Sequence, residues 1–138
     1  MKKTLSALLI IATLLTLLIS CKSTDSGKMT LVISTETPTE YELEFKGEDI
    51  TEGLISVLKL LEIPYTESFG MLSSVGELAP EPPVYIYIFT SVEKDFDVSE
   101  YATTTKYNGV TLTSAGIGAK DMTITDGAII YIGTISYE

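Results

Sequence analysis

The sequence predicts an α+β domain, with one helix packed on a mixed sheet of about four to six strands, preceded by a lipoprotein signal peptide. Three observations support this prediction. Strand-like segments recur along the chain, only one segment beyond the leader has helical periodicity, and that segment has a single apolar stripe. A helix with one apolar stripe covers one face of a sheet and leaves the second face for other contacts. The order β-β-α followed by further strands favours a β-grasp-like arrangement, and another small α+β sandwich is the alternative.

The N-terminus has the pattern of a bacterial lipoprotein leader. Lys2 and Lys3 supply positive charge, and an apolar run over residues 7–19 follows. That run is too short to cross a hydrocarbon layer of about 30 Å as a helix. Residues 18–21 (Leu-Ile-Ser-Cys) have the shape of a lipobox, so Cys21 is the predicted site of lipid attachment. The alternative is a free thiol in a leader that is cleaved further downstream.

The domain organisation follows from this leader. We expect a signal peptide over residues 1–20, a lipidated cysteine with a flexible polar tether over 21–28, and one β-grasp-like domain over 29–138. Acylation of Cys21, with palmitate for example, would hold the domain in the cell envelope. The anchor would lie on the outer side of the cytoplasmic membrane or in the outer membrane. About 110 residues suffice for one core without disulfides.

The first half of the domain predicts a hairpin and the helix. Residues 29–34 are rich in β-branched and apolar types, and residues 41–46 alternate between apolar and charged types. Asp49 with Glu52 three residues later predicts a capped helix start, and Pro64 lies just beyond the expected end. The apolar stripe of this helix consists of Ile50, Leu54, Val57, Leu58 and Leu61.

The second half predicts further strands. Residues 69–75 form a short strand candidate, and residues 84–90 are strongly strand-like. Asn-Gly at 108–109 predicts a two-residue hairpin turn, because both central residues of a type I′ turn need positive φ. Asp-Gly at 126–127 repeats that logic before a final strand over 128–137.

Charge and composition exclude several functions. Residues 22–138 carry seven lysines and nineteen acidic residues, a formal charge of −12, which repels nucleic acids. The chain has no His and no Arg, so imidazole-based catalysis, His-ligated metals and arginine phosphate clamps are excluded. We expect no catalysis, no cofactor and no metal site. The acidic loop at 91–101 reads as solvated, with Ca²⁺ binding as the alternative.

Short glycine-based motifs in a fixed order carry a family resemblance. They lie at 47–54 (Gly-Glu-Asp-Ile-Thr-Glu-Gly-Leu), 68–76 (Ser-Phe-Gly-Met-Leu-Ser-Ser-Val-Gly), 85–87 (Tyr-Ile-Tyr), 116–119 (Gly-Ile-Gly-Ala) and 126–130 (Asp-Gly-Ala-Ile-Ile). The domain resembles bacterial secreted and lipid-anchored domains similar to the C-terminal domain of transcobalamin and intrinsic factor, most of which have no assigned function. The resemblance implies a β-grasp-like fold and a module that helps to cover a corrin or another ligand.

Four tyrosines are the candidate ligand-binding residues. Tyr85 and Tyr87 share one face of their strand, as Tyr131 and Tyr137 do on the last strand. On the sheet face opposite the helix, they would form an aromatic stripe suited to a ring system or a sugar. The alternative is cross-strand packing or cover by long loops. We therefore expect a lipid-anchored, extracytoplasmic, non-catalytic binding module for a small corrinoid-like or glycan ligand. The alternative is a protein-interaction or envelope-assembly module that uses an exposed sheet edge.

Overall fold

The computed structural model describes residues 26–137, in which one helix and eight strands are found. The helix α1 spans Gly53–Leu60. The strands are β1 (Gly27–Ile33), β2 (Thr39–Phe45), β3 (Tyr65–Ser68), β4 (Met71–Val75), β5 (Val84–Thr90), β6 (Thr104–Tyr107), β7 (Val110–Ser114) and β8 (Ile129–Ser136). The predicted signal peptide and Cys21 lie outside the described residues. β1 begins at Gly27, two residues before the domain boundary expected from the sequence.

Six strands form one mixed sheet in the order β2-β1-β8-β5-β7-β6, and β3 pairs with β4 in a separate two-stranded sheet. β1 runs antiparallel to β2 and parallel to β8, and β8 runs antiparallel to β5. The prediction of an α+β domain with a mixed sheet is therefore confirmed. Within residues 26–137, no helix is long and apolar enough to cross a membrane.

The main core lies between α1 and one face of this sheet. Alternate residues of the strands point into it, and the buried set includes Leu31, Ile33, Ile130 and Ile132. The predicted apolar stripe is confirmed at its centre, where Leu54, Val57 and Leu58 are fully buried. These residues recur at helical spacing, so one side of α1 faces the sheet.

The start of α1 differs from the prediction. The helix begins at Gly53 and has no side-chain cap, so neither Asp49 nor Glu52 caps it. Instead, the Ser56 hydroxyl accepts hydrogen bonds from the N–H groups of Thr51 and Glu52, at 3.1 and 2.8 Å. These two bonds tie the first turn of the helix to the backbone that precedes it, without satisfying the free N–H groups of that turn.

Gly53 itself is required by a close approach. Its φ is +52°, and an added Cβ would lie 2.7–2.9 Å from three backbone carbonyl oxygens of residues 119–122. The first turn of α1 therefore needs a glycine because the 3₁₀ turn Ala119–Asp121 packs closely against it.

One strand prediction and one turn prediction differ from the structure. The strand expected over 69–75 begins only at Met71, because Phe69 and Gly70 form the turn of a β3–β4 hairpin. The 126–127 turn has the expected positive φ at Gly127, yet it joins no hairpin, since no described strand lies directly before it and β8 pairs in parallel with β1. By contrast, the hairpin at 108–109 is confirmed as β6–β7.

The β6–β7 hairpin folds back over the second face of the sheet. Strand order places β6 and β2 at opposite edges, yet the Tyr107 hydroxyl of β6 donates a hydrogen bond to the Glu40 carboxylate of β2. The Tyr107 ring also lies 6.1 Å from the Tyr131 ring of β8. Leu112 of β7 is fully buried, although it lies outside the main core cluster. The hairpin therefore covers the second face at one end and leaves the other end open.

Candidate functional site

Strand β5 directs alternate backbone groups to its two neighbours. The Tyr137 N–H donates to the Pro83 carbonyl at 3.1 Å, and the Ser91 N–H donates to the Ile129 carbonyl at 3.0 Å. Both bonds belong to the antiparallel register between β5 and β8. The odd-numbered residues of β5 therefore bond to β8, and the even-numbered residues direct their N–H and C=O groups to the other edge.

That other edge of β5 is only partly paired. β7 pairs with β5 at Phe89 and Thr90, and the last bond runs from the Ala115 N–H to the Ile88 carbonyl at 2.8 Å. Beyond this bond, no described residue hydrogen-bonds to the N–H or the C=O of Ile86. At the start of the strand, the Val84 N–H donates to the Glu81 carbonyl at 3.0 Å. The unpaired sheet edge in the first half of β5 is therefore centred on Ile86.

A glycine diverts β7 away from this edge. The Gly116 N–H donates to the Asp95 carbonyl at 2.9 Å, and a Cβ at Gly116 would lie 2.9 Å from the Asp97 Cα. Only glycine permits such a close backbone approach. Because the chain turns here toward the 95–97 segment, β7 cannot continue alongside Ile86.

The space that β7 leaves is a cavity of about 820 Å³, which we call the β5 groove. One wall is the unpaired edge of β5, a second is the β3–β4 hairpin tip at residues 68–73, and a third is the loop at 115–118. A cavity of this volume lies within the range that ligand sites usually have, about 300–1,000 Å³.

The hairpin tip is held in place by backbone contacts. The Ala119 N–H donates to the Gly70 carbonyl at 2.9 Å, and a Cβ on Gly118 would lie 3.2 Å from the Gly70 Cα. The Glu67 carboxylate accepts the Gly70 N–H at 2.6 Å and lies 3.5 Å from the Lys120 ammonium nitrogen. The wall opposite β5 is thus tied to the rest of the domain.

Large apolar side chains are exposed along the rim of the groove. Phe69 at the hairpin tip is 100 % exposed and Met71 is 71 % exposed, while Tyr85 on the facing strand is 44 % exposed. Phe69 also has a φ of +54°, a left-handed conformation that bulky residues rarely adopt. Strained residues of this kind cluster at binding and active sites, which makes Phe69 a candidate contact residue.

Three of the four predicted tyrosines lie together at the groove. Tyr85 and Tyr87 line it, and the Tyr137 ring packs edge-on against Tyr85 with 5.8 Å between ring centres. Hydrogen bonding with Tyr137 is the main cause that raises the pKa of Tyr87 above its usual value, and burial adds to it. The Tyr87 hydroxyl therefore remains a neutral donor and acceptor at ordinary pH.

Tyr131 lies apart from the other three. It is half-buried beneath the β6–β7 hairpin, with its ring 6.1 Å from both Phe89 and Tyr107. Tyr131 lies on the second face, but the β6–β7 hairpin covers it, so the four tyrosines do not form one continuous exposed stripe. Its position corresponds to the alternative of packing beneath another segment.

Sequence reasoning missed the hairpin side of the groove. Phe69, Met71 and Ile117 line the cavity and are exposed, but none of them is among the four tyrosines that the sequence indicates as ligand-binding residues. The available signal was the Gly70 that follows Phe69 between two short strand-like segments. Phe is a poor turn residue, so propensity gave no indication of the turn.

The charge of the groove is negative. Asp97 is the one charged residue among the described residues that line it. Hydrogen bonds from Ser99, first from its backbone N–H, hold the pKa of Asp97 below its usual range. A carboxylate that stays ionised favours a neutral or cationic ligand.

Asp95 of the acidic loop has a structural role. It is buried, and its carboxylate accepts hydrogen bonds from the Thr123 N–H at 2.6 Å and the Thr123 hydroxyl at 3.0 Å. It is therefore occupied by the protein itself. Among residues 26–137, no three side chains of metal-ligating type converge on one point.

Comparison with known proteins assigns no family to this chain. No protein-family model matches the sequence, and no curated protein matches it.

Proposed function

We propose that this chain is a lipid-anchored, extracytoplasmic, non-catalytic binding module whose binding site is the β5 groove. The observation that carries this proposal is the cavity of about 820 Å³ beside the unpaired edge of β5 at Ile86, with exposed Phe69, Met71 and Tyr85 at its rim. Monomeric proteins rarely leave such large apolar side chains together on the surface without a binding role.

A β-grasp-like fold is part of the proposal. The β1–β2 hairpin lies at one edge of the sheet, and the first and last strands are parallel neighbours near its centre. The single helix follows that hairpin in the chain and packs on one face. This arrangement supports the proposed resemblance to the transcobalamin and intrinsic factor C-terminal domain.

The first ligand class is a small molecule with a flat apolar face, corrinoid-like or a glycan. Tyr85 offers an exposed ring on one side of the groove, and Phe69 offers another on the facing side. Aromatic rings stack on extended ring systems and on the apolar faces of sugars. The Tyr87 and Tyr137 hydroxyls add polar contacts near the same place.

The location of the groove agrees with a lipid anchor at the N-terminus. The parallel register pairs Thr30 with Ile129, and Tyr85 pairs with Ile135. Three residues of β1 and six of β8 thus separate Gly27 from the level of Tyr85, about 30 Å at 3.3 Å per residue. The groove therefore lies at the end of the sheet opposite the N-terminus of β1, which an anchor and tether would precede.

Thermal unfolding of the full-length protein in detergent micelles tests this proposal against corrinoids, glycans and Ca²⁺. A ligand at 100 times its Kd stabilises by about 2.7 kcal/mol, which raises Tm by on the order of 10 °C for a domain of this size. Tyr85→Ala should abolish the shift, and Tyr131→Phe, distant from the groove, should retain it. A shift that survives Tyr85→Ala would contradict the groove as the site, and no shift with any of these compounds would contradict a small ligand.

The second ligand class is a protein segment. The observation that favours it is the unpaired N–H and C=O of Ile86, since exposed strand edges accept an additional strand.

A further inference from the structure

We propose that the β5 groove receives an extended peptide, which pairs with Ile86 as an added strand and places a cationic side chain beside Asp97. This inference rests on the proposed function, because it names the ligand class for the same groove. Its support comes from the backbone geometry, the groove walls and the charge.

The backbone geometry provides both a donor and an acceptor. Ile86 directs its N–H and C=O toward the groove, and the neighbouring Ile88 carbonyl is already bonded to Ala115. An added strand would occupy the position that β7 vacates after Ala115, at the usual spacing of about 4.8 Å from β5. The open part, Val84 to Tyr87, offers roughly 13 Å of edge.

The groove walls define what the side chains of such a strand contact. Successive side chains of a strand point to opposite faces. On the helix side, alternate residues would meet the hairpin tip, where Met71 and Leu72 line the groove. On the second face, the other residues would meet Tyr85 and Tyr87. The groove therefore favours a peptide with apolar residues at every second position.

Charge complementarity defines the peptide positions that face Tyr85 and Tyr87. Asp97 is ionised and lies on the Tyr87 side of the groove, where its charge contributes to the raised pKa of that phenol. A Lys or Arg at these positions would pair with the Asp97 carboxylate and lie against the Tyr85 ring. The formal charge of −12 over residues 22–138 also attracts cationic partners at long range.

Amide hydrogen exchange of the full-length protein in micelles tests the proposal. The probe is a blocked decapeptide of alternating Val and Lys. Without peptide, the Ile86 amide should exchange rapidly, whereas the Tyr87 amide, which bonds to β8, should be protected and serves as the internal reference. Saturating peptide should slow exchange at Ile86 by at least about tenfold, as expected for a new strand hydrogen bond.

Two matched controls separate strand addition from charge attraction alone. A peptide of the same sequence with every internal amide N-methylated should not protect Ile86. Asp97→Asn retains an acceptor for the Ser99 N–H. This substitution should lower the affinity for the Val-Lys peptide by about two- to fivefold, the range for an exposed ion pair. Replacing Lys by Glu in the peptide should abolish binding.

The outcomes also distinguish this inference from the function on which it rests. Unchanged exchange at Ile86 under saturating peptide, absence of peptide binding, or equal binding of the N-methylated peptide would overturn strand addition. If a corrinoid or a glycan still raised Tm through Tyr85, the groove would remain a binding site with a different ligand. If neither peptides nor small molecules bound, the inference and the proposed function would both be wrong.

Discussion

Phe69→Asn should make the protein more stable while it weakens binding in the groove. Phe69 and Gly70 are the central residues of the two-residue β3–β4 turn, with φ values of 54° and 81°. Asn108 and Gly109 occupy the corresponding positions of the β6–β7 turn, with φ values of 48° and 79°. The two turns have nearly equal φ values, so they differ chiefly in whether the residue suits the conformation.

The expected size of the effect follows from exposure and backbone strain. The Phe69 side chain is fully exposed, so its removal loses no buried surface. A left-handed conformation costs a residue with a Cβ about 1–2 kcal/mol, and Asn tolerates it better than Phe. We expect Phe69→Asn to raise the free energy of unfolding by about 1 kcal/mol. For a domain of this size, Tm should then rise by about 4 °C.

Thermal and urea unfolding of matched variants measure this effect. Phe69→Leu keeps a bulky side chain at the same φ and should leave Tm unchanged. Asn108→Phe places the unfavourable residue in the other turn and should lower Tm by a similar amount. If Phe69→Asn left Tm unchanged or lowered it while Asn108→Phe was destabilising, the assignment of strain to Phe69 would be wrong. In the peptide assay, Phe69→Asn should weaken binding, so stability and binding would change in opposite directions.

Three further perturbations test the fold and the anchor. Gly53→Ala should destabilise by about 2–5 kcal/mol in urea unfolding, since its Cβ meets backbone carbonyls at positive φ, and a loss below 1 kcal/mol would contradict that contact. Hydrogen bonding to Glu40 raises the pKa of Tyr107, so this bond stabilises the fold below the ordinary tyrosine pKa of about 10 and is lost as pH rises through the raised value. The Tm difference between wild type and Tyr107→Phe should therefore shrink above pH 10, and a constant difference would exclude this linkage. Cys21→Ser should release the protein from the membrane fraction or leave its precursor unprocessed, whereas normal fatty-acid labelling would refute the anchor.

Local patterns in the sequence predicted the elements that depend on neighbouring residues. The spacing of Leu54, Val57 and Leu58 defined the buried face of α1, and Asn108 with Gly109 defined the β6–β7 turn. Alternation along β5 and β8 also separated the face that packs on the helix from the face that carries the tyrosines. The helix and strand predictions depend on a side-chain period of 3.6 or 2, and the turn prediction depends on two adjacent residues that tolerate positive φ. Both signals are visible in a short window of sequence.

The features that were missed depend on contacts between distant segments. Tyr131 is covered because Tyr107 reaches back across the sheet to Glu40, and no local pattern reports such a fold-back. The unpaired edge at Ile86 exists because β7 turns away at Gly116, where an unrelated loop approaches the backbone. Pairing lengths and loop approaches of this kind are tertiary properties, so the groove could not be located from one sequence.

An unpaired strand edge is usually a liability, because it can pair with another copy and lead to aggregation. Here the risk is limited by geometry. Only the first half of β5 is open, Pro82 and Pro83 precede it, and the hairpin tip at Phe69 forms a wall opposite. A complete sheet edge from another folded domain would meet this wall, whereas a single extended segment or a flat small molecule fits between the wall and β5. The wall that limits association between copies thus also selects the ligands that the groove can admit.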